Sequence, residues 1–228
     1  MPMKNQNMRK HADPVEVGRT CHEIARLGFS AVHWRLFFGT MPSFENGKIQ
    51  LTVSERFDNM KGEILFIDGK RITPLETYFE WGVTDIVMPD RKVYIFQSPL
   101  DGLAFFQMKK MAESTDAVFA VGKYPSEKVL GFIKSSFPTA RFVICFPKNL
   151  LGNIADVRVA SILAGQTVSM EIVSDRLVCS YKGRQTAVPL DLVSLSKVSE
   201  FTGFCPKRIR TLKPKLGKES FFDLLRIK

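Results

Sequence analysis

From residue 92 onward, short apolar runs alternate with amphipathic stretches, and this rhythm leaves the chain very few ways to fold. Residues 93–96, 117–121, 142–146 and 167–173 read as strands. The stretches 103–111, 125–136 and 154–163 between them read as helices. Strands that are apolar throughout have no face to give to water, so both faces of their sheet must be covered. Alternation with helices predicts a parallel sheet with right-handed crossovers, here of four strands. Chain reversals from strand to helix then lie at the carboxyl edge, where open α/β sheets place their ligands.

Two of those reversals stand out. The first is Gln97-Ser98-Pro99-Leu100-Asp101-Gly102. Ser98 can cap a helix, Pro99 suits its first position, and Asp101 sits in the positive first turn. The second runs Cys145-Phe146-Pro147-Lys148-Asn149-Leu150-Leu151-Gly152, directly after the third strand.

Together these stretches resemble the Toprim family, the phosphoryl-transfer domain of bacterial primases, topoisomerases and certain nucleases. The likeness covers about residues 90–175 and is nearest to the Toprim-like proteins of mobile elements. It implies a Toprim-like (Rossmann-like) four-stranded parallel sheet flanked by helices. The family pattern has a Glu after the first strand, often in a Glu-Ser-Pro-Ile-Asp run, and Asp-x-Asp after the third. Carried over position by position, the Glu falls on Gln97 and the two aspartates on Pro147 and Asn149. An amide does no acid–base work at neutral pH. Mg²⁺ needs carboxylate oxygens that proline lacks and asparagine supplies only as one neutral oxygen. Lys148 adds positive charge between the two positions, and Asp101 alone remains an acid. The resemblance therefore implies vestigial positions at Gln97, Asp101, Pro147 and Asn149, with no catalytic residue, metal or cofactor.

Charge points to a polyanion. The chain has 33 Lys and Arg against 23 Asp and Glu, a formal net charge of +10. The excess gathers near the end, where Lys207, Arg208, Arg210, Lys213, Lys215, Lys218, Arg226 and Lys228 face only Glu219 and Asp223. Such a segment suits phosphate contacts and reads no base sequence. The expected nucleic-acid contacts are Lys148, Arg158, Lys207, Arg208, Arg210, Lys213 and Lys215, and the expected ligand is DNA rather than RNA. Arg158 is included because a cation near a helix N-terminus opposes the helix dipole.

Two rival readings remain at this stage. An active metal-dependent nuclease or primase-type enzyme would need replacement acids, for which Asp116, Glu127 and Asp156 are the candidates. The apolar segment 221–225 could dock on the core or on a partner; in the second case the chain would be a protein-interaction subunit that docks through it to a replication or transfer protein, such as a primase, relaxase or helicase.

The rest of the chain divides into a disordered leader (1–12), an N-terminal α+β region (13–90), the Toprim-like region (91–175), and a β-hairpin with a basic extension (176–228). Within the second region, 14–27 reads as a helix, 31–38, 49–56 and 63–67 as strands, and 72–81 as a path into a short helix. Trp34, Phe37, Phe38 and Trp81 are expected in the core. Four scattered cysteines lack any Cys-x-x-Cys spacing, and the three histidines make no zinc pattern. No run approaches the roughly 18–20 apolar residues of a membrane span. With no apolar signal-peptide core near the start, a cytoplasmic protein without membrane contact is expected.

Overall fold

The computed structural model describes residues 14–42, 46–51, 56–57, 61–66, 68–82, 91–111, 115–215 and 217–226; the expected leader and half of the expected strand 49–56 lie outside them. The first half of the chain contains α1 (Pro14–Arg26), α2 (Ala31–Phe38), β1 (Lys48–Gln50), β2 (Ile64–Phe66), β3 (Arg71–Ile72), β4 (Phe79–Trp81), β5 (Lys92–Phe96) and α3 (Pro99–Lys109). The second half contains β6 (Ala117–Ala120), α4 (Glu127–Ser136), β7 (Arg141–Cys145), α5 (Leu150–Ala164), β8 (Ser169–Val173), β9 (Arg176–Tyr181), β10 (Arg184–Pro189), α6 (Leu195–Thr202), β11 (Ile209–Thr211) and α7 (Phe221–Leu225).

The centre is a five-stranded mixed sheet in the order β11-β7-β5-β6-β4. The first four are mutually parallel, and β4 pairs antiparallel at the edge. Alternate residues of the buried strands feed two separate cores. Val93, Ile95, Phe142 and Ile144 face α4 and α5, whereas Tyr94, Phe96, Val143 and Cys145 face α3 and α7. Each β-residue therefore sits under apolar cover, which is why these strands carry no polar alternation.

Two smaller sheets flank this layer. β1-β2-β3 is an antiparallel meander, and β8-β9-β10 is another. Turns at 68–69 and 182–183 close the β2–β3 and β9–β10 hairpins. Gly69 takes φ of 84° and donates its N–H to the Phe66 carbonyl, a backbone conformation that favours glycine.

The structure corrects four expectations. The strand 167–173 is extended but leaves the parallel sheet: β8 pairs only with β9, antiparallel. Its place beside β7 is taken by β11, drawn from the basic tail. The expected four-stranded parallel sheet is thus five-stranded and mixed.

Residues 31–38 form a helix, not a strand. Trp34 and Phe37, three apart, share the buried face, while Val32 and Leu36 are exposed. Extended Ser30 precedes the helix, and Gly39 ends it with φ of 75°. The aromatic, β-branched composition suggested a strand, but the spacing of the buried residues is helical.

Residues 79–81 form edge strand β4 where a helix was expected. Its pairing to β6 and the Thr77 N–H bond to the Val121 carbonyl hold the segment extended.

The segment 221–225 takes the first of its two expected places, the core, and is not an exposed docking patch. Phe221 and Phe222 are buried among Phe29, Phe96 and Phe105. Trp34 and Phe37 are buried core residues as expected, with Phe38 and Trp81 packed partly buried against them. Among the described residues, no helix is long and apolar enough to cross a membrane.

Candidate site at the carboxyl edge

Chain connections leave β5 and β7 toward opposite faces of the sheet. β5 runs into α3 on one face, and β7 runs into α5 on the other. The crevice between their carboxyl ends is the topological switch point of this fold, the usual ligand position of an open α/β sheet. Gln97 and Ser98 follow β5 there, and Pro147, Lys148 and Asn149 follow β7.

The β5 side is filled by a buried polar cluster. Ser98 caps α3, its Oγ accepting from the N–H groups of Leu100 (3.1 Å) and Asp101 (3.3 Å). The same hydroxyl donates to Glu63 Oε2 at 2.5 Å, and Thr73 donates to Glu63 Oε1 at 2.6 Å. The Arg71 guanidinium meets Asp101 Oδ2 at 3.1 Å, lies 3.9 Å from Glu63 Oε1, and donates to Ser98 Oγ at 3.2 Å. Its other contact is the ring of Phe222, 5.2 Å from centroid to guanidinium carbon. Burial pushes the Glu63 carboxyl above its usual range, against the pull of Arg71 and the two hydroxyls. Burial opposes the Arg71 charge too, but Asp101 and Glu63 outweigh it and raise its pKa. Asp101, the one acid at the positions that carry the resemblance, is thus the counter-ion of Arg71. Its second oxygen, Oδ1, accepts the Phe222 N–H at 2.9 Å.

The β7 side is closed by a second internal cation. Lys213, just past β11, donates to the carbonyls of Phe146 (3.2 Å) and Pro147 (3.1 Å) and to Asp156 Oδ2 at 2.5 Å. Asp156 lies on α5 and is buried, with Oδ1 left unpaired. Burial raises its carboxyl from the ordinary 3.8 to about 7, against the pull of Lys213. Asn149 caps α5, its Oδ1 accepting the Gly152 N–H at 2.9 Å. Gly152 is required there, because a Cβ would lie 2.2 Å from the Pro147 carbonyl oxygen. The Lys148 N–H donates to the Glu219 carbonyl at 2.7 Å, and the Asn149 amide reaches the Glu219 carboxylate at 3.5 Å.

The donor set does not fit Mg²⁺. The switch-point crevice presents an amide at 97, a proline at 147 and a capping amide at 149, with the Lys213 ammonium beside them. Asp101 and Asp156 each already neutralise a cation. Among the described residues, no three His, Cys, Asp or Glu side chains gather to hold a metal. Of the other acids weighed as replacements, Asp116 accepts the Lys92 N–H at the opposite edge of the sheet, and Glu127 lines a groove along α5.

The cations expected to bind nucleic acid do not form one patch. Lys148 and Lys215 are exposed around the carboxyl edge, whereas Lys213 is spent internally on Asp156. Arg158 stacks on Tyr124 at 4.1 Å in a groove of about 700 Å³ between α5 and β8. Lys207, Arg208 and Arg210 are exposed at or near the amino end of β11, away from the crevice.

Sequence reasoning missed Glu63 and Arg71. A signal was present, since Glu63 borders the apolar run 64–66 and Arg71 opens the run that pairs with it. It also missed Lys213 as a structural cation, because the ligand that pulls it inward, Asp156, is 57 residues away in the chain (213 − 156). No family model matches this chain, and neither a curated protein nor a solved structure matches it significantly.

Proposed function

We propose that this chain is a non-catalytic nucleic-acid-binding protein on a degenerate Toprim-like scaffold, serving the maintenance or transfer of mobile-element DNA. One observation carries the reading. Two acids beside the switch-point crevice, Asp101 and Asp156, are each neutralised by a cation of the chain itself, Arg71 and Lys213. A phosphoryl-transfer enzyme needs those carboxylates open to divalent ions that neutralise phosphate charge. Here the neutralising charges are built into the chain, so the scaffold keeps its shape without a metal and without a general base.

What remains is a strongly positive protein. Its charge of +10 favours a polyanion, with affinity dominated by phosphate contacts and falling steeply with salt. DNA is favoured over RNA by the mobile-element setting that the resemblance implies, and a replication or transfer protein is the expected partner.

The test is a fluorescence titration of the purified chain with single-stranded DNA, double-stranded DNA and RNA oligomers at two salt concentrations, with and without Mn²⁺. Binding that weakens with salt, is indifferent to Mn²⁺ and leaves every oligomer uncut is expected. No binding at low salt, or metal-dependent cleavage, overturns the reading.

A further inference from the structure

At the edge of the sheet opposite the crevice, parallel register lines up cations from three neighbouring strands. Lys92 opens β5, Arg141 opens β7 directly beside it, and Arg210 lies on β11 opposite Val143. Arg208 precedes β11, its carbonyl accepting the Phe142 N–H at 2.9 Å. These four residues line one concavity of about 210 Å³, floored by Phe142 and Val143, with no acid among its described lining residues.

Their placement is fixed by the backbone. Arg208 adopts φ of 60°, which a non-glycine residue rarely holds. The Phe142 N–H bond and the Arg208 guanidinium bond to the Thr139 carbonyl at 3.1 Å hold it there. The crossover helix α3 returns the chain toward this edge and ends in exposed Lys109 and Lys110. Lys207, also exposed, adjoins Arg208. Asp116 borders the site at the Lys92 N–H without lining the concavity.

Lys92, Arg208 and Arg210 bring three positive charges to one hollow, a setting that favours an anion seated among them. The hollow is large enough for a phosphate group, and arginine forks match phosphate oxygens in two-pronged fashion. Its apolar floor is buried under the strands and offers no open ring on which a base could stack.

Resting on the nucleic-acid reading above, we infer that the phosphodiester backbone is held at the amino edge of the sheet, by Lys92, Arg208 and Arg210, rather than at the carboxyl-edge crevice. Contact is with phosphate alone, so affinity is indifferent to base sequence.

The test compares the wild-type chain with R208E/R210E, R208Q/R210Q and the carboxyl-edge control K148Q/K215Q. Each is titrated with fluorescein-labelled oligonucleotides of two unrelated sequences across a salt series, after circular dichroism establishes that the fold is kept. The glutamine pair guards against a folding defect in the glutamate pair. Expected for both arginine double variants is a loss of about tenfold or more at low salt, equal for the two sequences. The log–log salt slope should fall by about two. The control should stay within about twofold of wild type. If wild type binds and the arginine variants bind equally well, the amino-edge site is refuted and the nucleic-acid reading stands. If wild type binds neither oligonucleotide, both fall together.

Discussion

The N–H of Phe222 donates to Asp101 Oδ1 at 2.9 Å, across 121 residues of chain. The bond joins the start of α7 to the first turn of α3, and the other oxygen of the same carboxylate pairs with Arg71. One side chain thereby ties together the N-terminal meander, the central sheet and the last helix. An acid that the family resemblance would place in catalysis is used here as a joint.

Phe222 should be a main support of this joint. It stacks on Phe29 with ring centroids 5.5 Å apart and is almost wholly buried. Phe222→Ala is expected to cost about 3–5 kcal/mol, measured by urea denaturation. A loss under about 1 kcal/mol would mean that α7 rests on the core without stabilising it.

Removing Arg71 should be more damaging than its partial exposure suggests. Arg71→Met leaves Asp101 and Glu63 buried without their cation, which is expected to cost about 3–5 kcal/mol. The triple variant R71M/E63Q/D101N should recover part of that loss, because no unpaired charge is left. Failure of the triple to recover any stability would show that shape, rather than charge, holds the cluster.

Asp156 should make stability depend on pH. Its carboxyl is raised from 3.8 to about 7 in the folded chain, so the folded state binds a proton more tightly than the unfolded one. Its contribution is therefore full below about pH 4 and is lost as pH rises toward 7. Glu63, also raised, acts in the same direction. In Asp156→Asn this decline over pH 4–7 should flatten. Lys213→Met should be tolerated better at the acid end, where Asp156 is neutral, than at neutral pH. Urea midpoints across that range read both effects, and an unchanged slope in Asp156→Asn would contradict them.

Divalent ions should leave thermal stability unchanged. A ligand that binds the folded state at a hundred times its dissociation constant adds about 2.7 kcal/mol. The crevice offers Gln97, Pro147 and Asn149, with the Lys213 ammonium beside them, so Mg²⁺ and Mn²⁺ should not move Tm. A rise in Tm that is lost in Asp101→Asn would reveal a metal site.

Gly152 should not tolerate a methyl group. A Cβ there meets the Pro147 carbonyl, a backbone atom that cannot swing aside. Gly152→Ala is expected to cost about 1–3 kcal/mol by forcing the β7–α5 junction apart. A stability equal to wild type would show that the junction has room to move.

The sequence made the strand and helix positions from residue 92 to about 164 readable from their period, except that α5 starts at Leu150, ahead of the expected 154, because Asn149 was not read as its cap. Ser98, Ser126 and Asn149 cap the three helices with side-chain bonds. Misreadings arose where local preference and tertiary packing diverged. Residues 31–38 are rich in strand-forming aromatic and branched residues, but Trp34 and Phe37 bury themselves at a helical interval. The run 167–173 looked like the next parallel strand, yet three polar-sided strands form a sheet of their own there, with β8 mostly exposed. The positions that the family resemblance would make vestigial could be named from residue type alone. The internal cations were not, since Arg71 meets Asp101 and Lys213 meets Asp156 only after the chain has folded.

β11 and α7 follow in the chain the elements they pack against, so the sheet edge beside β7 and the slot around Phe29 stay empty until residues 209–225 have been made. On the ribosome the earlier elements can collapse only around an open apolar gap and a buried Asp101 that still lacks the Phe222 amide. Closing that gap is a late, long-range event, and until it occurs the nascent chain is exposed to chaperones and to self-association.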